Sequence, residues 1–151
     1  MTINELFPDI YMEDSNVEFK GILSKGKDKN GNSLEMDWLK TIAAFANGEG
    51  GRLFVGVENK SHKIVALDTS EADKQILMLH QEIRKRFEPG IYPEVKKHVM
   101  PWDGHNILLE IIVKHSSFLP VFVKDREATF TFIRRFGETN IASSDEIRQL
   151  V

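Results

Sequence analysis

The chain has 151 residues, a formal charge of −3 and no cysteine, so one domain is the expectation and disulfide frameworks and thiolate metal sites are excluded. A chain of this length buries roughly 70% of the surface its unfolded form exposes, and no apolar run approaches the about 18 residues of a membrane span; a soluble, cytoplasmic protein is expected, with no membrane partner. The acidic balance argues against coating nucleic acid with the whole surface but leaves room for one basic face.

Taken in order, residues 1–14 carry Leu6, Phe7, Ile10 and Tyr11 among acids, the pattern of a short helical turn docked on a core. Residues 16–20 predict a strand with Val17 and Phe19 on one face and Glu18 and Lys20 on the other. Residues 25–33 are a loop by composition, with a turn at Asn30-Gly31, and Ser33 is placed to cap the next helix with Glu35 in its first turn. That helix sets Trp38, Leu39, Ile42, Ala43, Phe45 and Ala46 at intervals of three and four, the period of a broad apolar face. Asn47-Gly48-Glu49-Gly50-Gly51 ends it, since Asn and Gly tolerate the left-handed backbone of a helix C-terminus. A strand follows over 52–58. Phosphate-cradling glycine loops run from strand to helix. The order here is the reverse, so a turn permitting close backbone approach is the better reading.

A turn at 60–62 and a strand at 63–67 predict a hairpin with 52–58. From Ser70, Ala72, Ile76, Leu79, Ile83 and Phe87 recur at helical spacing, Ser70 with Asp73 resembles a capping box, and Pro89-Gly90 stops the helix. Residues 94–100 form a weak strand, whereas 106–113 are apolar on both faces except at Glu110, which predicts a central strand. Residues 121–124 and 129–135 read as a hairpin, and Ser143 with Glu146 opens a last helix. The sum is an α+β fold: a single domain with one mixed β-sheet, hairpins, and three to four packed helices.

Phosphate-binding candidates are Lys20, the loop lysines Lys25, Lys27 and Lys29, Arg52, Lys60 with Lys63, Lys96 with Lys97, and Arg134 with Arg135. The aromatics interleaved at Phe132 and Phe136 suit base stacking. Arg84, Lys85 and Arg86 close a helix, where the dipole explains them. The five histidines lack the spacing of a zinc site.

NVEFK at 16–20, AAFANGEGGRLFVGVEN at 43–59, the Pro120-Val121 strand opening, and FIRRFGETN with ASSDEI over 132–147 together resemble the Schlafen/AlbA-type DNA-binding domain family. The resemblance implies a nucleic-acid-binding domain, with DNA first, of a bacterial transcriptional regulator or helicase-like protein, and a place as the N-terminal part of a longer chain. It needs no cofactor for binding. In animal Schlafens a related domain is a metal-dependent ribonuclease that uses three carboxylates. Carried over, that pattern falls on Glu13 and Glu18 and on the pair Glu58-Asn59. Glu58 is then the third ligand for magnesium or manganese, because Asn59 departs from an acid at the second position. Clustered carboxylates hold a proton or a divalent cation, since like charges about 4 Å apart repel by roughly 4 kcal/mol at an effective dielectric of 20. The resemblance also singles out Arg135, at the R-x-G end of its strand, ahead of Arg134 on the opposite face. Three functions follow: a nucleic-acid-binding module, a divalent-metal ribonuclease, and a non-enzymatic oligomerisation domain whose partner is a second copy.

Overall fold

The computed structural model describes residues 1–8, 16–23, 37–88, 92–125, 128–135 and 137–151. The expected features at Ile10, Tyr11, Asn30-Gly31, Ser33, Glu35 and Pro89-Gly90 lie outside those residues, as do Glu13 and the loop lysines.

Strand β1 (Val17–Lys20) alternates as its sequence predicts, Val17 and Phe19 buried, Glu18 and Lys20 half-buried. It runs parallel to β2 (Gly51–Val55), with Val17 opposite Arg52 and Lys20 opposite Val55. Parallel neighbours need a crossover, and helix α2 (Asp37–Asn47) lies in that connection. From Trp38 to Asn47 every residue of α2 except Lys40 is buried. A helix buried all round must have a neighbour on each side. On one side it packs against β2 and β5 (Asn106–Val113), and on the other against β6 (Phe122–Asp125), β7 (Ala128–Arg135) and β8 (Glu138–Ile141).

β5 is central, as its two apolar faces predict. One edge pairs with β2 and then with β3 (Leu67–Asp68), and the other pairs along its length with β4 (Val95–Asp103). The expected hairpin between 52–58 and 63–67 is corrected in extent: it forms at its turn end alone, where Val57 bridges Ile64 antiparallel and backbone bonds join Glu58 to Lys63 and Gly56 to Val65. Both edges of β2 are already held by β1 and β5, and left-handed φ angles of 102° at Gly56 and 60° at Ala66 turn the chain away.

A second correction is that there are two sheets. β6, β7 and β8 form a separate antiparallel sheet, with Phe132 opposite Ile141 and Arg135 opposite Glu138. Helix α3 (Thr69–Arg86) buries Ala72, Leu79 and Ile83, but its cap is Asp68, whose carboxylate accepts from the Glu71 N–H at 2.8 Å, two residues before the expected Ser70. The reason is local. Thr69 donates both its N–H and its hydroxyl to the His105 carbonyl, so the chain leaves β3 directly into the helix. α4 (Ser144–Leu150) has the expected Ser143–Glu146 capping box and no buried residue, while α1 (Ile3–Leu6) inserts Ile3 and leaves Leu6 exposed.

The glycine turn does permit close approach. A Cβ at Gly51 would lie 2.5 Å from the Phe45 ring, and one at Gly50, where φ is 85°, would lie 2.7 Å from the Val113 carbonyl. Asn47 is different: its φ is not positive, and its side chain makes the contribution. The buried carboxamide oxygen accepts from the Val121 N–H at 2.7 Å, and its nitrogen lies 2.8 Å from Thr131 Oγ1, 2.9 Å from the Phe132 carbonyl and 3.2 Å from the Val121 carbonyl. It fastens the small sheet to α2.

Candidate nucleic-acid interface

At the seam between the two sheets a cleft of about 610 Å³ opens. Its walls are Glu18 and Lys20 from β1, Asp37, Lys40 and Thr41 from the start of α2, Asn59 from the turn after β2, and Glu138, Thr139, Asn140 and Ile141 from β8. Alternation along β1 makes this possible: with Val17 and Phe19 committed to the core on one side, Glu18 and Lys20 must face α2 and the small sheet.

Arg134 organises the cleft from behind. Its side chain is 5% exposed, its Nη1 donates to Glu18 Oε2 at 2.8 Å and to Thr139 Oγ1 at 2.9 Å, and its Nη2 donates to the Val17 carbonyl at 3.0 Å. The guanidinium lies 5.3 Å from the centre of the Phe45 ring. Thr139 Oγ1 is in turn 3.0 Å from Thr41 Oγ1. One buried cation thus ties β1, α2, β7 and β8 together. It also neutralises Glu18, and a charge-assisted bond in so dry a place is among the stronger kinds. Lys40 Nζ sits 5.4 Å over the Phe132 ring.

The other candidates are dispersed. Arg52 lies on the opposite face of the mixed sheet, its Nε 2.7 Å from Glu110 Oε2 and its guanidinium 5.2 and 5.0 Å from the Phe7 and Phe54 rings. Arg135, half-exposed, reaches Glu146 at 3.4 Å. The Glu146 carboxyl is held below the usual carboxylate range, first by the Ser143 N–H, then by the Ser143 hydroxyl and by Arg135, against an opposing effect of burial. Lys60 and Lys63 are exposed in the turn after β2, and Lys96 and Lys97 are exposed on β4. Phe132 is buried and covered by Lys40, so its ring is no open stacking platform, and Phe136 lies outside the described residues.

Of the carboxylates suggested for a metal, Glu18 is in the cleft, Glu58 is exposed in a turn closed by its own backbone bonds to His62 and Lys63, and Glu13 lies outside the described residues. Asn59, not Glu58, lines the cleft beside Glu18. Among the described residues no three His, Asp or Glu side chains are grouped to hold a metal ion. Of the positions carried over from the family pattern, those described in the cleft are Glu18, bound to Arg134, and the amide Asn59, and these two do not make the three-carboxylate set. Sequence reasoning missed Asp37, Glu138, Thr139 and Asn140. The available signal was the polar run Glu138-Thr139-Asn140 directly after a strand end, which forms β8.

These features define a two-sheet α+β domain with a polar cleft of mixed charge at its seam. The sequence profile of the Schlafen, AlbA_2 family matches residues 13–143. The chain belongs to that family, and it is therefore a nucleic-acid-related domain. The crystal structure of the DIP2311 protein from Corynebacterium diphtheriae is similar in fold, with a TM-score of 0.51 at 18% identity, covering 85% of this chain and 26% of that one. The present chain thus spans about a quarter of that protein's length. No helix among the described residues is long and apolar enough to cross a membrane.

Proposed function

We propose that the chain is a nucleic-acid-binding domain, with DNA as its first ligand, of a bacterial transcriptional regulator. The observation that carries this reading is that Lys20 on β1 and Lys40 on α2 line one cleft in which the Glu18 carboxylate is neutralised by Arg134. That offsets one of the three carboxylates on its walls, the others being Asp37 and Glu138, beside two ammonium groups of the kind that contact phosphate. Arg135, exposed at the end of β7, extends the basic positions beyond the cleft.

The test is anisotropy of labelled duplex DNA and of tRNA against salt. Log affinity should fall with log salt, and Lys20→Ala and Arg135→Ala should each flatten the duplex slope by about 0.9. Absence of binding at low salt, or binding that ignores salt, overturns the proposal. A second reading, a magnesium- or manganese-dependent ribonuclease, draws on Glu18 and Asn59 sharing the cleft. Its mark would be manganese-dependent tRNA cleavage lost in Glu18→Gln and raised in Asn59→Asp. Oligomerisation without nucleic acid would instead appear as concentration-dependent sedimentation with no salt-sensitive binding.

A further inference from the structure

The mixed sheet keeps one long open edge. On β1 the outer Val17 carbonyl is taken by Arg134, and β3 is only two residues long. β4 runs for nine residues, pairs with β5 alone among the described residues, and exposes its side chains on both faces from Lys96 to Val99. The ladder decides which of its backbone groups are open. The Lys114 N–H donates to the Glu94 carbonyl at 3.0 Å, and these two residues stand directly opposite, one step on from the Val95–Val113 pair. Alternation along an antiparallel pair then points the N–H and C=O of Lys96, His98 and Met100 at β5, and those of Val95, Lys97 and Val99 away from it. β5 agrees, since its His105 carbonyl turns the other way, to the Thr69 N–H beyond β3. Pro101, which has no N–H, occupies the next outward position on β4.

Six backbone groups thus stand open in a line, a donor and an acceptor on each of three residues spaced about 6.8 Å apart. The phosphates of a nucleic acid offer acceptors alone and leave the three carbonyls unanswered, whereas an extended polypeptide answers all six groups. A second copy of this chain is a poor occupant. Pairing about a two-fold axis satisfies all six groups in one register, with Val95 against Val99 and Lys97 against its own mate, and like charges directly opposite are destabilising. Shifting that register by two residues in either direction sets a proline, Pro101 or Pro93, against Val95 or Val99, whose carbonyl then finds no N–H. Lysine and proline on an edge ordinarily serve to prevent such self-pairing.

The same lysines favour a strand of opposite charge. Lys97 lies between Val95 and Val99 on one face of the edge, and Lys96 lies beside His98 on the other. Neither ammonium has an ion-pair partner among the described residues, because the neighbouring carboxylates are committed, Glu94 to Lys114 at 3.3 Å and Glu110 to Arg52 at 2.7 Å.

We propose that the outer edge of β4 docks an extended acidic segment of a partner protein as an added antiparallel strand. Two consecutive carboxylates of that segment meet Lys97 on one face and Lys96 on the other, and apolar residues two positions to either side of the first lie against Val95 and Val99. This surface is separate from the cleft and stands whether or not the domain binds nucleic acid.

The probe is the end-blocked peptide Ser-Val-Thr-Glu-Asp-Val-Ser, whose glutamate and two valines turn their backbone groups to the edge when the glutamate stands opposite Lys97. The experiment follows amide exchange and chemical shifts of the whole chain by nuclear magnetic resonance. Without peptide, the amides of Val95, Lys97 and Val99 should exchange as open groups and those of Lys96, His98 and Met100 as bonded ones. The peptide should shift and protect the first set saturably. Methylating its glutamate nitrogen, which faces the edge, should abolish binding, and methylating its aspartate nitrogen, which faces away, should not. A peptide with lysine in place of both acids should bind about tenfold more weakly, and Lys96→Glu/Lys97→Glu should reverse the preference between the two peptides. Circular dichroism checks that the variant keeps the fold. Slow exchange of the outward amides before peptide is added, no saturable shift in them, or equal binding of the two peptides overturns the proposal. Protection of those amides by raised protein concentration alone assigns the edge to a second copy, protection by duplex DNA assigns it to nucleic acid, and either result overturns the acidic strand.

Discussion

Replacing Asn47 by Ala tests whether the small sheet is fastened to α2 by one carboxamide. The substitution orphans the buried Val121 N–H, whose acceptor is Asn47 Oδ1 at 2.7 Å. It also removes the donor from Thr131 Oγ1 and from the Phe132 carbonyl, while the Val121 carbonyl keeps the Thr131 hydroxyl at 2.7 Å. A stranded buried donor costs about 1–3 kcal/mol and each lost hydrogen bond about 0.5–1.5 kcal/mol, so the expected loss is about 3–5 kcal/mol. For a chain of this size 1 kcal/mol corresponds to about 2–4 °C, giving a fall in Tm of roughly 6–20 °C. Urea unfolding followed by circular dichroism, with thermal melts alongside, measures both. Asn47→Asp keeps the acceptor for Val121 but loses the donors and sets a carboxylate against the three oxygens that the amide nitrogen faced, so it should be no milder near neutral pH. A loss below about 1 kcal/mol for Asn47→Ala would refute the clamp, because a single orphaned buried donor already exceeds it.

Arg134→Met should cost about 3–5 kcal/mol by leaving Glu18 without its counter-charge, and adding Glu18→Gln should recover part of that loss; simple additivity in urea melts would show that the pair is not coupled. Gly51→Ala would drive a Cβ into the Phe45 ring and should cost about 1–3 kcal/mol, with partial recovery when Phe45 is also changed to Leu; a neutral Gly51→Ala melt would rule out the close approach. The Glu146 carboxyl titrates below its ordinary value, so its contribution is present above the unfolded value, near about 4.3, and disappears as pH falls through the folded one. Protection of the α4 amides, taken relative to the intrinsic exchange rate at each pH, should fall on acidification across that window. Ser143→Ala, which removes the hydroxyl but spares the backbone donor, should narrow the acid response, and an unchanged profile would count against the capping box.

What was legible in the sequence was local. The spacing of Trp38, Leu39, Ile42 and Phe45, the alternation in 16–20, and the doubly apolar run at 106–113 each identify an element from its own residues, because helical and strand periods are intrinsic to the chain. Partner choice is not intrinsic. The 52–58 segment was compatible with a hairpin, but its edges went to β1 and β5, and nothing within the segment says so. Asn47 was read as a backbone cap because its partners Val121, Thr131 and Phe132 are distant in sequence. The site divides the same way. Alternation from Phe132, a core residue, already turns Arg134 inward and Arg135 outward, so the difference in their surroundings was readable. The convergence of Glu18, Asp37, Asn59 and Glu138 on one cleft was not, since it depends on how two sheets meet across α2.

The seam that forms the cleft also has a place in the order of folding. Its polar ties join residues 116 positions apart for Glu18 and Arg134, 98 for Thr41 and Thr139, and 74 to 85 for Asn47 and its partners. Loop closure over such distances is paid in entropy before any bond rewards it, so contacts of this kind form after the local ones. β6 and β7 can pair as a neighbouring hairpin early, whereas docking of that hairpin onto α2 waits for most of the chain. The cleft is therefore a late product of folding, absent from any intermediate in which the two sheets exist but have not yet met.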